Sequence, residues 1–572
     1  MNHQPNTDDI RFILNDVLQA PAQLQALAAF ADTDTDVMQQ VLEEAAKFVT
    51  DKIAPLQRVG DEVGCRFSAG KVTTPPGFKE AYADFWQNGW ASLSCAAEDG
   101  GQALPEVLNQ VLYEMLSAAN HGWTMAPGLL HGAYECIKHH ANPALKAAYL
   151  PKVASGEWLA TMCLTEAHAG SDLGLVRTRA TPDLAGSPDE QALGAVHRIN
   201  GTKIFISGGE HDLTDNIVHL VLARLPDAPA GPKGLSLFLA PKVLPDGTRN
   251  AVLCERIEDK MGLHGSATCV LRFDDATGWL IGEPGKGLGA MFVMMNAARL
   301  HVGLQGVGLL EAAWQKADAY ARERRQMRAP GPRTAEAGGQ AADLIVAHPA
   351  VRRILDSQRA WIDAGRVLAY RTALELDMAR HHPDASRRAE ASTWCALVTP
   401  VLKAAFTHQA FHGGSDCLQV FGGHGYVSEW GIEQILRDAR ITMIYEGTNE
   451  IQAIDLLVRK VLSDQGRGMG LLLGDLKCAV PADSLASHLL EKLGTSTVDL
   501  LHQSASQPAR PYWVAGDYLH ATALALLAWA WEQIEQANTL KLPRWTQPHK
   551  ALKAWVLPEF DMRIGLLTSS AP

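Results

Sequence analysis

Glu446 stands in the run Arg437-Asp438-Ala439-Arg440-Ile441-Thr442-Met443-Ile444-Tyr445-Glu446-Gly447-Thr448-Asn449-Glu450-Ile451-Gln452. Met443, Ile444 and Tyr445 flank it on one side and Gly447 on the other. A carboxylate in so apolar a setting is expected to have a raised pKa, which suits a general base. A glutamate here also reads as a cap for the helix expected from Asn449, where Ile451, Ile454, Leu457 and Val458 recur at helical spacing. Close upstream lies Gln419-Val420-Phe421-Gly422-Gly423-His424-Gly425-Tyr426. Glycines in such a loop let backbone amides approach phosphate oxygens. Arg299 is set among apolar Ala297, Ala298, Leu300 and Val302, so it should face a pocket or an anionic partner rather than open solvent.

A further chemistry-bearing stretch is Leu164-Thr165-Glu166-Ala167-His168-Ala169-Gly170-Ser171-Asp172, a short strand running into a Gly/Ser turn. Phe205, Ile206 and Ser207 end another strand-like run. Taken singly, Ser171 and Ser207 also read as turn and strand-end residues.

The elements that must position these groups follow from pattern and punctuation. Residues 1–36 form a polar, acidic extension with one amphipathic piece, Ile10 to Leu18, expected to dock on the rest of the chain. Residues 37–160 read as a helical domain, with the stripes Val37, Val41, Ala45, Phe48 and Val107, Val111, Met115, Leu116. Residues 161–288 hold short strand-like runs separated by Gly, Pro and Asp turns, which predicts a small β-barrel, with residues 182–195 as a long hairpin loop. Helix returns over residues 289–465, interrupted by a linker at 329–342 and resuming at His348-Pro349. Residues 466–572 add a further helical domain behind a glycine hinge at Gly466 to Gly470.

A chain of 572 residues suggests about three or four domains, and 47% hydrophobic residues supply a sizeable core. A net charge of −12 argues against nucleic acid or an anionic membrane as the main partner. The nine cysteines are scattered with no Cys-x-x-Cys, which points to reduced thiols in the cytoplasm and to no metal framework. The N-terminal residues have no basic, apolar signal pattern, and the longest apolar run, Ala521 to Trp531, is too short to span a bilayer.

The Glu446 string resembles the active-site signature of the flavin-dependent acyl-CoA dehydrogenases, and Leu-Thr-Glu-x-x-Ala-Gly-Ser-Asp resembles their flavin-binding signature. The resemblance covers about Val37 to Leu462. It implies a mainly α fold with a central β-barrel domain between an N-terminal helical domain and a C-terminal four-helix bundle, with residues 466–572 as an extra helical domain. It implies FAD as cofactor, an acyl-CoA thioester as substrate, and an electron-transfer flavoprotein as acceptor. It further implies a homo-oligomer, for which a dimer is expected. Leu164, Thr165, Ser171, Phe205, Ile206, Ser207, Thr448 and Glu450 are then expected at the flavin. Arg324, Gln326, Gln419, Gly422 and Gly423 are expected to reach a neighbouring subunit's cofactor. Ser171, Asn296, Arg299 and Gly447 are expected at the substrate. Where the family usually continues Phe-Gly after its Glu-Arg-x-x motif, this chain has Met327-Arg328. The leader, the linker and the helical tail together look like the long methylmercaptopropionyl-CoA dehydrogenase-like subgroup.

On this resemblance Glu446 takes the α-proton of the thioester while the β-hydrogen leaves as hydride to flavin N5, giving a trans-2-enoyl-CoA. Its own backbone N–H and the ribityl 2′-hydroxyl hold the developing enolate oxygen. Arg299 organises the site. Ala298, at a position where some relatives carry the glutamate, cannot accept a proton. Two other functions fit the same pattern. One is an acyl-CoA oxidase passing electrons to O₂, and the other is a non-catalytic flavoprotein used as a binding module.

Overall fold

The computed structural model describes residues 2–330 and 340–569; the side chains of Asp189 and Asn296, and most of the expected linker, lie outside the described residues. The chain forms two compact units that interleave along the sequence. One comprises residues 51–105 and 120–298, the other residues 1–50, 106–119 and 299–572. The helix Glu106–Thr124 passes from one to the other at Asn120, whose φ of −160° and ψ of 88° break its helical path.

The first unit is built on a sheet. The short strands β1 (Arg66–Ser68) and β2 (Lys71–Thr73) pair antiparallel. The sequence pattern gives only helix here. The hairpin is made by Ala69-Gly70, both with positive φ (48° and 77°), the geometry of a two-residue turn that matches strand twist. The main sheet holds β3 (Leu159–Cys163), β4 (Arg179–Pro182), β5 (Val196–Ser207), β6 (Ile217–Arg224), β7 (Leu235–Pro241), β8 (Val252–Ile257) and β9 (Thr268–Ile281). They run in the order β3-β6-β4-β5-β9-β7, and β6 pairs with β7 so that the sheet closes. Phe238, Val221, Ile199, Leu271 and Phe273 fill its interior. β7 is buried along its whole length, which suits its unbroken apolar run. The loop expected at 182–195 contains a helical turn, Pro188–Ala192. Ser187 and Glu190 cap it reciprocally, a Ser-x-x-Glu box with proline at the first turn.

The second unit is helical. Its long elements include Pro349–His381, Ala385–Val401 and Thr407–Val420, together with the part of Gly287–Glu323 from Arg299 onward. The tail adds Arg467–Cys478, Leu485–Ser506 and Arg510–Ala537. Of the expected glycine hinge only Gly466 (φ 73°) breaks the chain; Gly468 and Gly470 lie inside the next helix. Arg510–Ala537 is more than the one-faced helix its spacing suggests. Trp529 and Trp531 are both fully buried, and the Trp531 indole donates to the Ala360 carbonyl at 2.9 Å. The N-terminal helix Thr7–Phe12 docks in the same unit, with Phe12 stacked on Trp545 at 4.5 Å and Asp9 paired with Arg359 (3.1 Å) and Arg544. Among the described residues no helix is long and apolar enough to cross a membrane.

Candidate active site

The chain around Glu446 is shaped by the loop that joins the helix Ile432–Arg440, through the 3₁₀ turn Ile441–Met443, to the helix Asn449–Ile454. Glu446 and Gly447 are both left-handed, with φ of 55° and 86°. A non-glycine residue there stores strain of about 1–3 kcal/mol, held in place only by its surroundings. Three groups do the holding. Gln452 Nε2 donates to the Glu446 carbonyl at 3.1 Å, Lys403 Nζ donates to the Gly447 carbonyl at 2.8 Å, and the Tyr445 hydroxyl donates to Gln305 Oε1. The helix-cap reading of Glu446 is not what the fold uses. Thr448 is the cap, its hydroxyl accepting from the Ile451 N–H, and the Glu446 carboxyl is left for other work.

Glu446 is only partly covered, yet burial pushes its carboxyl up to about 7 against the opposing pull of Arg299 and Lys403. That is the range a general base needs near neutral pH. Its own N–H has no acceptor among the described residues, leaving a backbone donor beside the carboxyl. Arg299 is buried at 6% exposure on the long helix and is ion-paired with Asp455 at 3.6 Å. Lys460 joins Asp455 at 3.0 Å.

Lys403 carries no sequence signal beyond a lone cation in an apolar stretch, and sequence reasoning missed it. Its place has a local cause. Pro400 has no N–H to offer the Ala396 carbonyl, which accepts from Lys460 Nζ at 2.6 Å instead. The helix then widens into the π turn Leu402–Phe406, where Lys403 lies fully buried. Burial lowers its ammonium to about 7, against the pull of Glu446 and Glu450.

The structure brings Glu446, Gly447, Thr448, Glu450 and Arg299 into one unit, with Glu450 exposed at the start of its helix. In that unit Gln419, Gly422 and Gly423 form an exposed end to the helix Thr407–Val420. A Cβ on Gly422 or Gly423 would meet nothing within 4 Å, so space is open beside both residues. An aromatic set missed from sequence fixes this loop. Tyr320 stacks on Phe421 at 4.3 Å, its hydroxyl meets His424 Nδ1 at 2.8 Å, and His424 stacks on Trp430 at 4.8 Å. Arg324 and Gln326 are exposed just beyond Tyr320, where Gln326 N–H donates to the Asp343 carbonyl at 3.0 Å.

The remaining expected residues lie in the β unit. Phe205 sits at a register shift between Lys203 and Ile206 and has φ 59°. The bulge turns its ring out to 61% exposure, whereas Ile206 points back into the barrel core at 2%. Whatever Ile206 offers a cofactor is therefore backbone. Ser207, Leu164 and Thr165 are half-buried and Ser171 is exposed. Beneath them Lys203 Nζ reaches Glu166 Oε1 and the Leu164 carbonyl, each at 2.9 Å, and both side chains are buried. The Glu166 carboxylate also accepts from the Arg177 and Thr178 amides and the Thr178 hydroxyl. Burial alone would raise its pKa, but Lys203 and these donors hold it near 2. Glu166 and Lys203 thus tie the strand-to-turn segment to β5. An outward aromatic ring and the hydroxyl-bearing residues Thr165, Ser171 and Ser207 fit an isoalloxazine with its polar edge. The side chain of Asn296, expected at the substrate, lies outside the described residues.

The β unit thus offers chemistry suited to a flavin, and the helical unit holds a strained, raised-pKa carboxylate beside two cations. Family comparison defines the kind of protein. The chain matches the acyl-CoA dehydrogenase N-terminal domain over residues 35–157, the middle domain over 161–276 and the C-terminal domain over 285–461. It belongs to the acyl-CoA dehydrogenase family and is an FAD-dependent enzyme. It is 41% identical to the 3-methylmercaptopropionyl-CoA dehydrogenase of Ruegeria pomeroyi, across 92% of this chain and 90% of that one. An acyl-CoA dehydrogenase from Bacillus anthracis, solved with FAD, superposes with a TM-score of 0.74 at 20% identity, covering 95% of this chain and 90% of that one. Butyryl-CoA dehydrogenase of Megasphaera elsdenii matches over 97% of its own length but 74% of this chain, with a TM-score of 0.58 and 25% identity. About a quarter of the present chain is thus additional to that shorter relative.

Proposed function

We propose that the enzyme removes the α-proton and β-hydrogen of an acyl-CoA thioester, giving a trans-2-enoyl-CoA, with Glu446 as the base. The observation that carries this reading is the Glu446 carboxyl raised to about 7 in a loop strained into a fixed direction beside Arg299 and Lys403. Bound FAD supplies the acceptor for the hydride. The residues expected to hold it are Phe205 and the hydroxyls of Thr165, Ser171 and Ser207, with the turn at Gly422 and Gly423 reaching a neighbouring subunit's cofactor. Glu446 receives the α-proton, and its free N–H stabilises the developing enolate oxygen. Arg299 and Lys403 keep enough of the carboxyl ionised at neutral pH. Similarity over 92% of the chain to an enzyme named for 3-methylmercaptopropionyl-CoA favours a short thioether acyl group as substrate.

The exposed Arg324, Gln326, Gln419 and glycine pair support a homodimer in which each subunit completes its neighbour's cofactor site. Nine cysteines, all free thiols, support a cytoplasmic setting, with electrons leaving to an electron-transfer flavoprotein and the product entering a β-oxidation-type sequence.

The test is anaerobic bleaching of the oxidised flavin by 3-methylmercaptopropionyl-CoA, butyryl-CoA and palmitoyl-CoA, alongside peroxide formation in air. Bleaching fastest with the thioether substrate and little peroxide are expected. Glu446→Gln should retain FAD and slow bleaching by at least about 10²-fold. Near-normal bleaching by this variant would falsify the assignment of the base.

A further inference from the structure

The Glu446 loop is held from outside by a residue that no motif marks. Lys403 is fully buried, and its Nζ donates to the Gly447 carbonyl of that loop at 2.8 Å and to Oδ1 of Asn449, the first residue of the helix that follows, at 2.9 Å. Asn449 is itself fixed, donating to the Ala404 carbonyl at 3.0 Å and accepting from the Thr407 hydroxyl at 3.2 Å. One π turn, Leu402–Phe406, and the residue following it thus grip the loop immediately after Glu446. The grip falls where it is needed, because Glu446 and Gly447 are the two consecutive left-handed residues whose strain must be opposed. A buried ammonium is costly to keep, and here it is retained at the one place where its charge also acts on Glu446.

We propose that Lys403 is a positioning residue for the base: through Gly447 and Asn449 it fixes the direction of the Glu446 carboxyl, and through its charge it sets when that carboxyl ionises. The proposal rests on Glu446 being the base. The charged and titratable groups acting there come from several elements. Arg299 lies on the helix Gly287–Glu323 and is itself paired with Asp455, while Tyr445 is the neighbour in the loop. Glu450, on the helix Asn449–Ile454, acts on Lys403. Both cations stabilise the ionised carboxylate, so loss of Lys403 leaves Arg299 as the single cation opposing desolvation.

The experiment uses FAD-loaded enzyme and the variants Lys403→Met, Lys403→Gln and Lys403→Arg. Methionine fills the space without charge, glutamine keeps a donor without charge, and arginine keeps both. Anaerobic bleaching by 3-methylmercaptopropionyl-CoA and butyryl-CoA should slow by at least about tenfold in the methionine variant, less in glutamine, and recover in part with arginine. A second readout needs no substrate. The difference in thermal stability between the parent and its Glu446→Gln form, followed against pH, reports the ionisation of Glu446 in the folded protein. In the Lys403→Met background its midpoint should move to higher pH by about half a unit or more. If Lys403→Met does not fold, Lys403→Gln carries the same two readouts. A lowered melting temperature with an unmoved midpoint and unchanged bleaching would make Lys403 merely structural and overturn the proposal. Rapid bleaching by Glu446→Gln with a shifted midpoint would instead sink the base assignment, and the two failures are separable.

Discussion

At the scale of single residues, the site depends on a carboxyl that the fold makes reluctant to ionise. Burial raises Glu446 from 4.5 to about 7 in the folded protein. The linkage sign follows. Between those values the folded state holds the extra proton, so stability from this group is present at low pH and lost as pH rises through about 4.5 to 7. The shift corresponds to an upper bound of about 3 kcal/mol. Glu446→Gln should therefore melt higher than the parent above pH 7 and converge with it near pH 4.5, which thermal scans across that range will check. Equal melting temperatures at all pH values would mean the carboxyl is not desolvated. Arg299 opposes the same desolvation from its buried position beside Asp455. Arg299→Gln is expected to bind FAD normally but to slow flavin bleaching at neutral pH by at least about tenfold, or about 1.4 kcal/mol of barrier. Unchanged kinetics would leave Arg299 a structural cation.

At the scale of elements, a buried ion pair locks the turn after β3 onto β5, beneath the face proposed to meet the flavin. Lys203 and Glu166 are 0% and 5% exposed at the side chain. Removing one partner strands the other charge. Glu166→Gln should cost about 3–5 kcal/mol in urea unfolding, whereas replacing both by methionine should restore most of that loss. If the single and double variants lose equally, the hydrogen bonds from Arg177 and Thr178, rather than the ion pair, hold the turn. The pH sign here is opposite to that of Glu446. A carboxyl held near 2 contributes stability above its ordinary value of 4.5 that is lost as pH falls through 2.

At the scale of the whole molecule, the helical unit is drawn together from distant parts of the chain by buried charges. Arg359 reaches Asp9 at 3.1 Å, Glu311 at 2.7 Å and Asp363 at 2.7 Å, and Arg544 from the tail pairs with Asp9 and Asp363. Arg366 continues the network to Glu114 at 2.7 Å. The N-terminal extension and the tail are therefore parts of one core. Asp9→Ala should lower stability by about 3 kcal/mol or more while leaving the pH midpoint of Glu446 unmoved. A neutral effect in chemical denaturation would show that Arg359 and Arg544 are satisfied without Asp9.

Much of this was legible in the sequence, because the relevant physics is local. Strands punctuated by turn residues, long helices at 3.6-residue spacing, Pro349 at a helix start and an apolar setting for Glu446 all follow from near neighbours along the chain. The base loop and the Leu-Thr-Glu segment were legible as unbroken strings. Elsewhere local pattern gave way to tertiary geometry. The Ala69-Gly70 hairpin is too short to register against flanking helix. Within the helix Arg510–Ala537, Ala521 to Trp531 is buried around its circumference, which one-faced spacing does not encode. Phe205 and Ile206 are neighbours in sequence, and only a bulge in the pairing with β9 sends one outward and the other into the core. Lys403 precedes Gly447 and Asn449, which its ammonium holds, by more than forty residues, so no spacing rule joins them. The sequence by itself determined which groups exist and which helices and strands carry them. The tertiary structure decided which charges meet in the absence of water, and that desolvation is what moves the Glu446 carboxyl from the ordinary range to about 7, as the proposed role of base requires.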